Sequence, residues 1–419
     1  MPQTIISRAG LCAYCLPLAY SLFFASLALE WHVNEARTLA LLVSLPCLYF
    51  NPDIRRKLFC STQFRITACF PIIALAAWVI SPYANNGFKT LDWIICLSIG
   101  YIASAYLNRK AMLLMLALPL TCIAGSAATA LYELYTAGSL DALFTNGFKL
   151  RMYNESPNRY GLTTAFSAAV VIGVFPLAAR REKFILAAML AILTLLCWYS
   201  QSRAAVFGLT GTVCLATLLF LKHSPRQGLL ILMVVSIILA IGTILGGERI
   251  TDTIANRSWE FLLNGREDIW RAAWEIFQKS PLVGFGVNSF RQSLEALLNL
   301  PENVARFPDI RAQYIFWNAH QIILGILVET GLAGLIVFIA LSARTLYTGV
   351  KKYPLALAPL LIFILYWIHG LGGYGFHRSW NSAFFFLAIG LIDGITLPAG
   401  QRAAAAHSAT PAKGALLKI

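Results

Sequence analysis

Residues 318–335 read NAHQIILGILVETGLAGL. Asn318, His320 and Gln321 are polar, and from Ile322 onward the stretch is apolar except for Glu329 and Thr330. The pattern predicts that a polar loop ends here and a membrane helix begins. The His320 ring is then left at the boundary, with water on one side and lipid on the other. Two roles fit such a ring: an interfacial anchor, or a titratable group acting on a membrane-borne substrate.

The same contrast of polar loops and apolar runs recurs along the whole chain. Of 419 residues, 58% are hydrophobic and 12% charged, with a net charge of +14 and a mean hydropathy of +0.68. A soluble domain carries about 25% charged residues, so this is a polytopic membrane protein. An apolar run of about 20 residues crosses the hydrocarbon core. The runs are continuous rather than alternating, which selects an all-α integral membrane fold over a barrel. Twelve transmembrane helices are expected, near 11–30, 36–50, 67–83, 91–106, 111–132, 159–178, 184–200, 204–221, 227–246, 319–342, 354–370 and 381–397. The expected organisation is therefore helices 1–9 over 1–246, with a loop near 133–158, then a large helical loop over 247–318. Helices 10–12 follow over 319–397, and a flexible tail over 398–419. The first run is followed by Glu30, Trp31 and His32 rather than a small-residue cleavage site, so it reads as a true span. The nine cysteines imply no disulfide framework, and the Cys12–Cys15 pair reads as packing sulfur.

Lys and Arg in the short loops set the orientation. Arg55-Arg56-Lys57 with Arg65, Arg109-Lys110, Arg180-Arg181 with Lys183, Lys222 with Arg226, and Arg344 with Lys351-Lys352 fall on one side of a twelve-span chain. That side is expected to be cytoplasmic and to hold both termini. The outer side then carries twelve Arg and three Lys, against ten Arg and eight Lys inside. A guanidinium is a planar fork suited to phosphate and carboxylate, so the outer bias points to an anionic ligand. Pairing with outer acids is expected to use many of these arginines, and only two to four are expected to touch a substrate.

Several outer stretches carry candidate chemistry. Ser200-Gln201-Ser202-Arg203 ends the seventh span, and Arg203 is either a snorkelling anchor or an anion ligand. Asn264-Gly265-Arg266-Glu267 has an N-cap with a capping-box-like Glu, so a helix is predicted from Gly265 to Lys279, stopped by Ser280-Pro281. Trp270, Trp274 and Phe277 share a face at spacings of four and three. Arg266 in the first turn makes a phosphate clamp where the helix N-terminus already favours anions; the alternative is an amphipathic helix lying on the membrane. Pro281 to Phe290 holds a Gly284-Phe285-Gly286 turn, expected to fold the loop back over the membrane before a helix from Asn288 or Ser289 to Leu300. Ser156-Pro157-Asn158-Arg159-Tyr160-Gly161 marks a turn before the sixth span. Glu329, nine residues after His320, is about 13 Å deeper on a continuous helix and on the opposite face. It reads as structural, bonded to a neighbouring helix. His369 and His377 bracket a glycine-rich loop, but with His320 they have no carboxylate spacing that supports a metal site. Trp31, Trp270, Trp274, Trp317, Tyr374 and Trp380 could stack on sugars or form an interfacial belt.

Three of these stretches in this order, SQSRAAVFGL, GREDIWRAAWEIFQKSPLVGFGVNSF and NAHQIILGILVETGLAGL, resemble the signatures of the O-antigen ligase and polymerase superfamily, with SPNRYGL a looser match. Two positions depart from the usual pattern: Ala204 stands where Gly is usual, and Gln321 where Asn is frequent. The resemblance implies a bacterial inner-membrane glycosyltransferase with a GT-C-type fold and a periplasmic active site. The implied donor is a glycan on undecaprenyl pyrophosphate, and the acceptor a sugar hydroxyl of lipid A-core or a second lipid-linked glycan. Arg203 and Arg266 then match the family's arginines and would bind the donor pyrophosphate. His320 matches its catalytic histidine, as general base at a reference pKa of about 6.5. Phosphates nearby favour the charged ring, so orientation of the acceptor or cationic binding of pyrophosphate stay open. Asn158, Trp270 and Gln321 are further candidates for substrate contact. No metal, cofactor, nucleotide or nucleic acid is expected, and the partners are donor, acceptor and membrane lipid. A reading from another class is a secondary transporter, which twelve spans also fit. The chain lacks the paired repeats expected of one.

Overall fold

The computed structural model describes residues 15–16, 18–23, 25–26, 33–83, 89–106, 123–125, 127–138, 157–246, 266–303, 306–307, 310, 318–373 and 379–395. Among these residues every regular element is helical. Half of the expected first span, most of the fifth, Asn264 and Gly265, Trp317, Tyr374, His377 and the C-terminal tail fall outside them.

Helix α1 is Val33–Phe50, α2 Pro52–Cys60, α3 Thr62–Thr67, α4 Cys69–Ile80 and α5 Lys89–Tyr106. Next come α6 Pro157–Val174, α7 Arg180–Tyr199, α8 Arg203–His223 and α9 Pro225–Gly246. The rest are α10 Arg266–Lys279, α11 Phe290–Leu298, α12 Ile322–Lys351, α13 Leu357–Gly370 and α14 Ser379–Gly394. Local chemistry sets the starts. Asn51 caps α2 through Ile54 N–H with Pro52 in the first turn, Ser61 caps α3, and Ser202 caps α8. Five helical stretches are long and apolar enough to cross a membrane: Thr62–Ile80, Asn158–Leu177, Arg180–Tyr199, Arg203–His223 and Ile322–Lys351.

The bundle is organised around α13. It packs against α6, α8 and α14, and α14 packs along α5. Aromatic rings fill its centre. Trp93 stacks on Phe386 at 5.3 Å, Phe70 meets Trp93 edge-on at 5.1 Å, and Phe385 stacks on Phe338 and Phe363 at 5.3 and 5.2 Å. A second, smaller core lies beside the bundle. There Ile269, Ala272, Ala273, Ile276 and Phe277 of α10 pack with Phe290, Leu294 and Leu297 of α11 and with Leu327 and Val328 of α12. The docked face of α10 is therefore not the Trp270–Trp274–Phe277 stripe read from the spacing. Only Phe277 of the three is buried, and Trp274 is 48% exposed. Small Ala272 and Ala273 let α10 seat closely on α12, and the two tryptophans are left on its flank.

The largest difference from expectation is in α12. Hydropathy predicts one continuous span, but Gly331 has φ 62° and ψ −165° and breaks it. Packing shows how sharply. Phe338 stacks beside Trp367 of α13 at 4.8 Å, and Ile322 lies against Gly370, three residues on. On a straight helix Ile322 and Phe338 would be about 24 Å apart, against about 4.5 Å between Trp367 and Gly370. The segment Ile322–Thr330 therefore folds across the end of α13 and packs into the smaller core. Leu332–Lys351, about 30 Å long, is sufficient to span a membrane alone.

The break exposes backbone groups that must be paired away from water. The loop Pro281–Gly286 pairs them. Pro281 and Leu282 carbonyls accept from the Leu332 and Ala333 N–H groups at 2.9 and 3.0 Å, and the N–H groups of Phe285 and Gly286 donate to the Val328 and Glu329 carbonyls at 2.9 and 2.8 Å. These are the donors and acceptors that an unbroken helix would have joined to each other. The glycines are required by this docking. Gly331 (φ 62°) and Gly284 (φ 68°) are both left-handed, and a Cβ on either would overlap the backbone of the other segment. The GFG turn thus plugs a broken helix rather than turning the loop over the membrane surface. Glu329, buried at the elbow, accepts from the backbone N–H of Asn288 just after this loop, and the Lys89 ammonium of the neighbouring α5 lies within electrostatic reach of it. Lys89 Nζ donates to the Asn288 side chain at 3.3 Å, joining α5 to the same assembly.

Candidate active site

The stretch Asn318-Ala319-His320-Gln321 is a built turn. Ala319 is fully buried in the smaller core. The buried Asn318 side-chain oxygen accepts from the His320 N–H at 2.8 Å, an Asx turn. His320 takes φ 50°, a left-handed conformation uncommon for a non-glycine residue. Gln321 caps α12, its Oε1 accepting from Leu324 N–H at 2.5 Å. That oxygen is committed to the helix start, which gives Gln321 a local role beside its candidacy as a substrate contact.

The His320 ring is fixed by a second contact. Its Nδ1 is 3.2 Å from the carbonyl oxygen of Gly373, in the turn that follows α13. A carbonyl only accepts, so Nδ1 carries the proton and Nε2 has the lone pair of the neutral ring. Arg266, the first residue of α10, donates from Nη1 to the carbonyl of Gly372. Two consecutive carbonyls of one turn thus hold His320 and Arg266, and with them the N-termini of α12 and α10. Neighbouring acids on α10 are engaged elsewhere: Glu267 and Asp268 pair with Arg271 at 3.4 and 3.6 Å. Arg37, Arg291 and Arg306 pair with Asp92, Glu295 and Glu275.

Arg203 is the first residue of α8, after a tight corner. Ser200 Oγ donates to the Cys197 carbonyl and accepts from Ser202 N–H. Gln201 between them is left-handed at φ 54°. Gly161 of α6 packs against this corner, where a Cβ would meet Ser200 and Ser202, so the SPNRYGL and SQSR stretches touch. Asn158, exposed in the first turn of α6, is at the same end. Gly208, five residues after Arg203, packs on His369 near the end of α13. The buried His369 ring lies against Gly373 and within electrostatic reach of both Arg266 and His320. The structure therefore brings His320 and Arg266 onto one turn. Arg203 shares their end of the bundle, linked through the α8–α13 packing and His369.

Sequence reasoning missed three parts of this site. His369 reads from the sequence only as a weak metal candidate. Gly372 and Gly373 carry no side-chain signal, and their backbone carbonyls do the work; consecutive glycines just past a helix end were the available hint. Buried polar atoms were also invisible. Gln201 Oε1, Asn318 Nδ2 and Trp270 Nε1 are buried without a hydrogen-bond partner among the described residues. All three lie on segments that carry the site, and an unmade bond on a buried polar atom is costly.

The arrangement offers three helix N-termini, two guanidinium groups and an imidazole with a defined tautomer. Helix N-termini and guanidinium forks both favour anions, and such an imidazole can take a proton from a hydroxyl. Comparison with curated proteins gives no match. The O-antigen ligase family model matches residues 186–339, the segment that contains Arg203, Arg266 and His320. Over that segment the chain is similar to the O-antigen ligase family.

Proposed function

We propose that this protein is an O-antigen ligase, a GT-C-type glycosyltransferase of twelve spans that moves a glycan from undecaprenyl pyrophosphate to a sugar hydroxyl of lipid A-core. The observation that carries the reading is the shared turn, with Arg266 on the Gly372 carbonyl and His320 on that of Gly373. It holds an anion ligand and a base on adjacent peptide units of one rigid element, as a two-substrate transfer requires. In the reaction the acceptor hydroxyl attacks the anomeric carbon opposite the leaving group. The bond from that carbon to the pyrophosphate oxygen breaks, and the electron pair stays on the pyrophosphate. Arg203 and Arg266 neutralise that charge. His320 Nε2 takes the hydroxyl proton. In-line attack inverts the anomeric centre, with no metal or nucleotide in the scheme. Asn158, Trp270 and Gln321 are proposed to contact the glycans.

The proposed setting is the bacterial inner membrane, with both termini cytoplasmic and the site on the periplasmic face. Residues 1–246 and 319–397 would form the membrane helices, 247–318 the large periplasmic loop and 398–419 a cytoplasmic tail. The test uses the full chain in proteoliposomes with lipid-linked glycan as donor. Lipid A-core or a second lipid-linked glycan is supplied as the only acceptor. Transfer to lipid A-core is the expected result. Transfer only to the lipid-linked glycan would make the protein a polymerase, and no transfer to either would overturn the reading.

A further inference from the structure

At the end of the bundle opposite Arg266 and His320, a cavity of about 350 Å³ is lined by Arg344, Tyr347, Thr348, Lys351, Lys352 and Asp393. Its cations are not equivalent. The Lys352 ammonium donates to the carbonyls of Ile392 and Asp393 at 2.8 and 2.6 Å, so it fastens α12 to α14. Arg344 and Lys351 have no ion pair within bonding distance among the described residues. Both are exposed and sit over the Tyr347 ring, 5.8 and 6.0 Å from its centroid. Spaced at i, i+3 and i+7, Arg344, Tyr347 and Lys351 share one face of α12. One carboxylate faces them. Asp393 bonds Ser61, while its Oδ2 is buried with no hydrogen-bond partner among the described residues. A ligand that fits must offer an anion to Arg344 and Lys351 and a proton donor to Asp393.

The surroundings give the ligand's origin. The face bearing Tyr347 continues along α12 to Ile336, eleven residues or about three turns earlier. Ile336 is 67% exposed, and Ile339, Leu346 and Val350 beside it are exposed as well. Such a strip is suited to acyl chains and not to a free ion. We propose that this cavity binds the headgroup of an anionic phospholipid that carries a hydroxyl. The phosphodiester lies between Arg344 and Lys351, the headgroup hydroxyl donates to Asp393, and an acyl chain follows the strip toward Ile336. The site is independent of the glycosyltransferase reading, because none of its residues belongs to the candidate active site.

The test measures lipid binding to the purified full chain in detergent by native mass spectrometry. The probes are phosphatidylglycerol, phosphatidylethanol (equal charge, no hydroxyl), phosphatidylethanolamine and inorganic phosphate. Phosphatidylglycerol is expected to bind best, phosphatidylethanol next and phosphatidylethanolamine least. The double variant Arg344→Gln, Lys351→Gln is expected to lose about tenfold or more in phosphatidylglycerol affinity, since a hydrogen bond to a charged group is involved at each. Arg226→Gln, an exposed cation on α9, is expected to keep it. Asp393→Asn is expected to erase the preference for phosphatidylglycerol over phosphatidylethanol. Unchanged phosphatidylglycerol binding in the double variant, or an equal loss in Arg226→Gln, overturns the site. Displacement of phosphatidylglycerol by an equal concentration of inorganic phosphate overturns the lipid assignment, and an intact preference in Asp393→Asn overturns the hydroxyl contact.

Discussion

In the middle of the bundle, Phe70, Trp93, Phe338, Phe385 and Phe386 interlock on regular helices. At the site end the backbone itself is irregular. The three non-glycine residues with positive φ among the described residues, Gln201, Asn288 and His320, are all there. Gln201 precedes Arg203 by two positions, Asn288 holds Glu329 and Lys89 at the helix break, and His320 is the candidate base. Strained backbone persists only where surrounding structure holds it, and here caps, an Asx turn and the docked Pro281–Gly286 loop do so. The middle is built for stability and the site end for position, so substitutions in the two regions should separate stability from transfer.

The largest effect is expected at the break. Gly331→Val places a branched side chain at φ 62° against the Leu282 backbone, and should cost roughly 3–5 kcal/mol of stability. Thermal unfolding in detergent reads this, and an unshifted midpoint would contradict the docked loop. Phe385→Ala removes a ring touching Phe338, Phe363, Tyr366 and Phe386. It should cost about 3–5 kcal/mol while transfer per folded molecule is unchanged; a comparable loss of transfer would erase the contrast between the two regions. Arg266→Lys keeps the charge and loses the planar fork. Transfer should fall about 10- to 100-fold, the value of one hydrogen bond to a charged group, with the unfolding midpoint unmoved. Full transfer would reduce Arg266 to a loop anchor. The smallest effect is at Asn318→Ala, which removes the bond to His320 N–H and should cost about 1 kcal/mol. Asn318→Asp keeps the acceptor and should recover most of it, and equal losses in both variants would remove the Asx turn from the account.

Much of the architecture was legible because it is written in side chains. Apolar runs placed most of the expected spans that are described to within a few residues, although α12 runs on to Lys351 rather than ending near 342, and Ser280-Pro281 marked a stop. Arg266 and His320 were legible as chemistry at helix starts, whereas Arg203, which the sequence reading puts at the end of a span, begins the next helix, α8. What escaped depends on backbone. The break at Gly331 lies inside an uninterrupted apolar run, where hydropathy sees a single span and one glycine is a weak signal. Its partner loop is some 45 residues earlier, a pairing no local pattern encodes. The glycine carbonyls that hold Arg266 and His320 have no side-chain signature at all. The docked face of α10 was not legible either: spacing singles out Trp270, Trp274 and Phe277, whereas the small Ala272 and Ala273 are what lets the helices approach.

The central claim is that His320, held by the Gly373 carbonyl, takes the acceptor proton. His320→Asn tests it most directly, because Asn tolerates the left-handed backbone at this position while lacking a base. The measurement is the glycan-transfer rate of this variant in proteoliposomes, beside its unfolding midpoint. The account predicts a loss of about 10²- to 10⁴-fold, the usual contribution of a general base, with the midpoint unchanged. Transfer within a few-fold of the unsubstituted protein would contradict it.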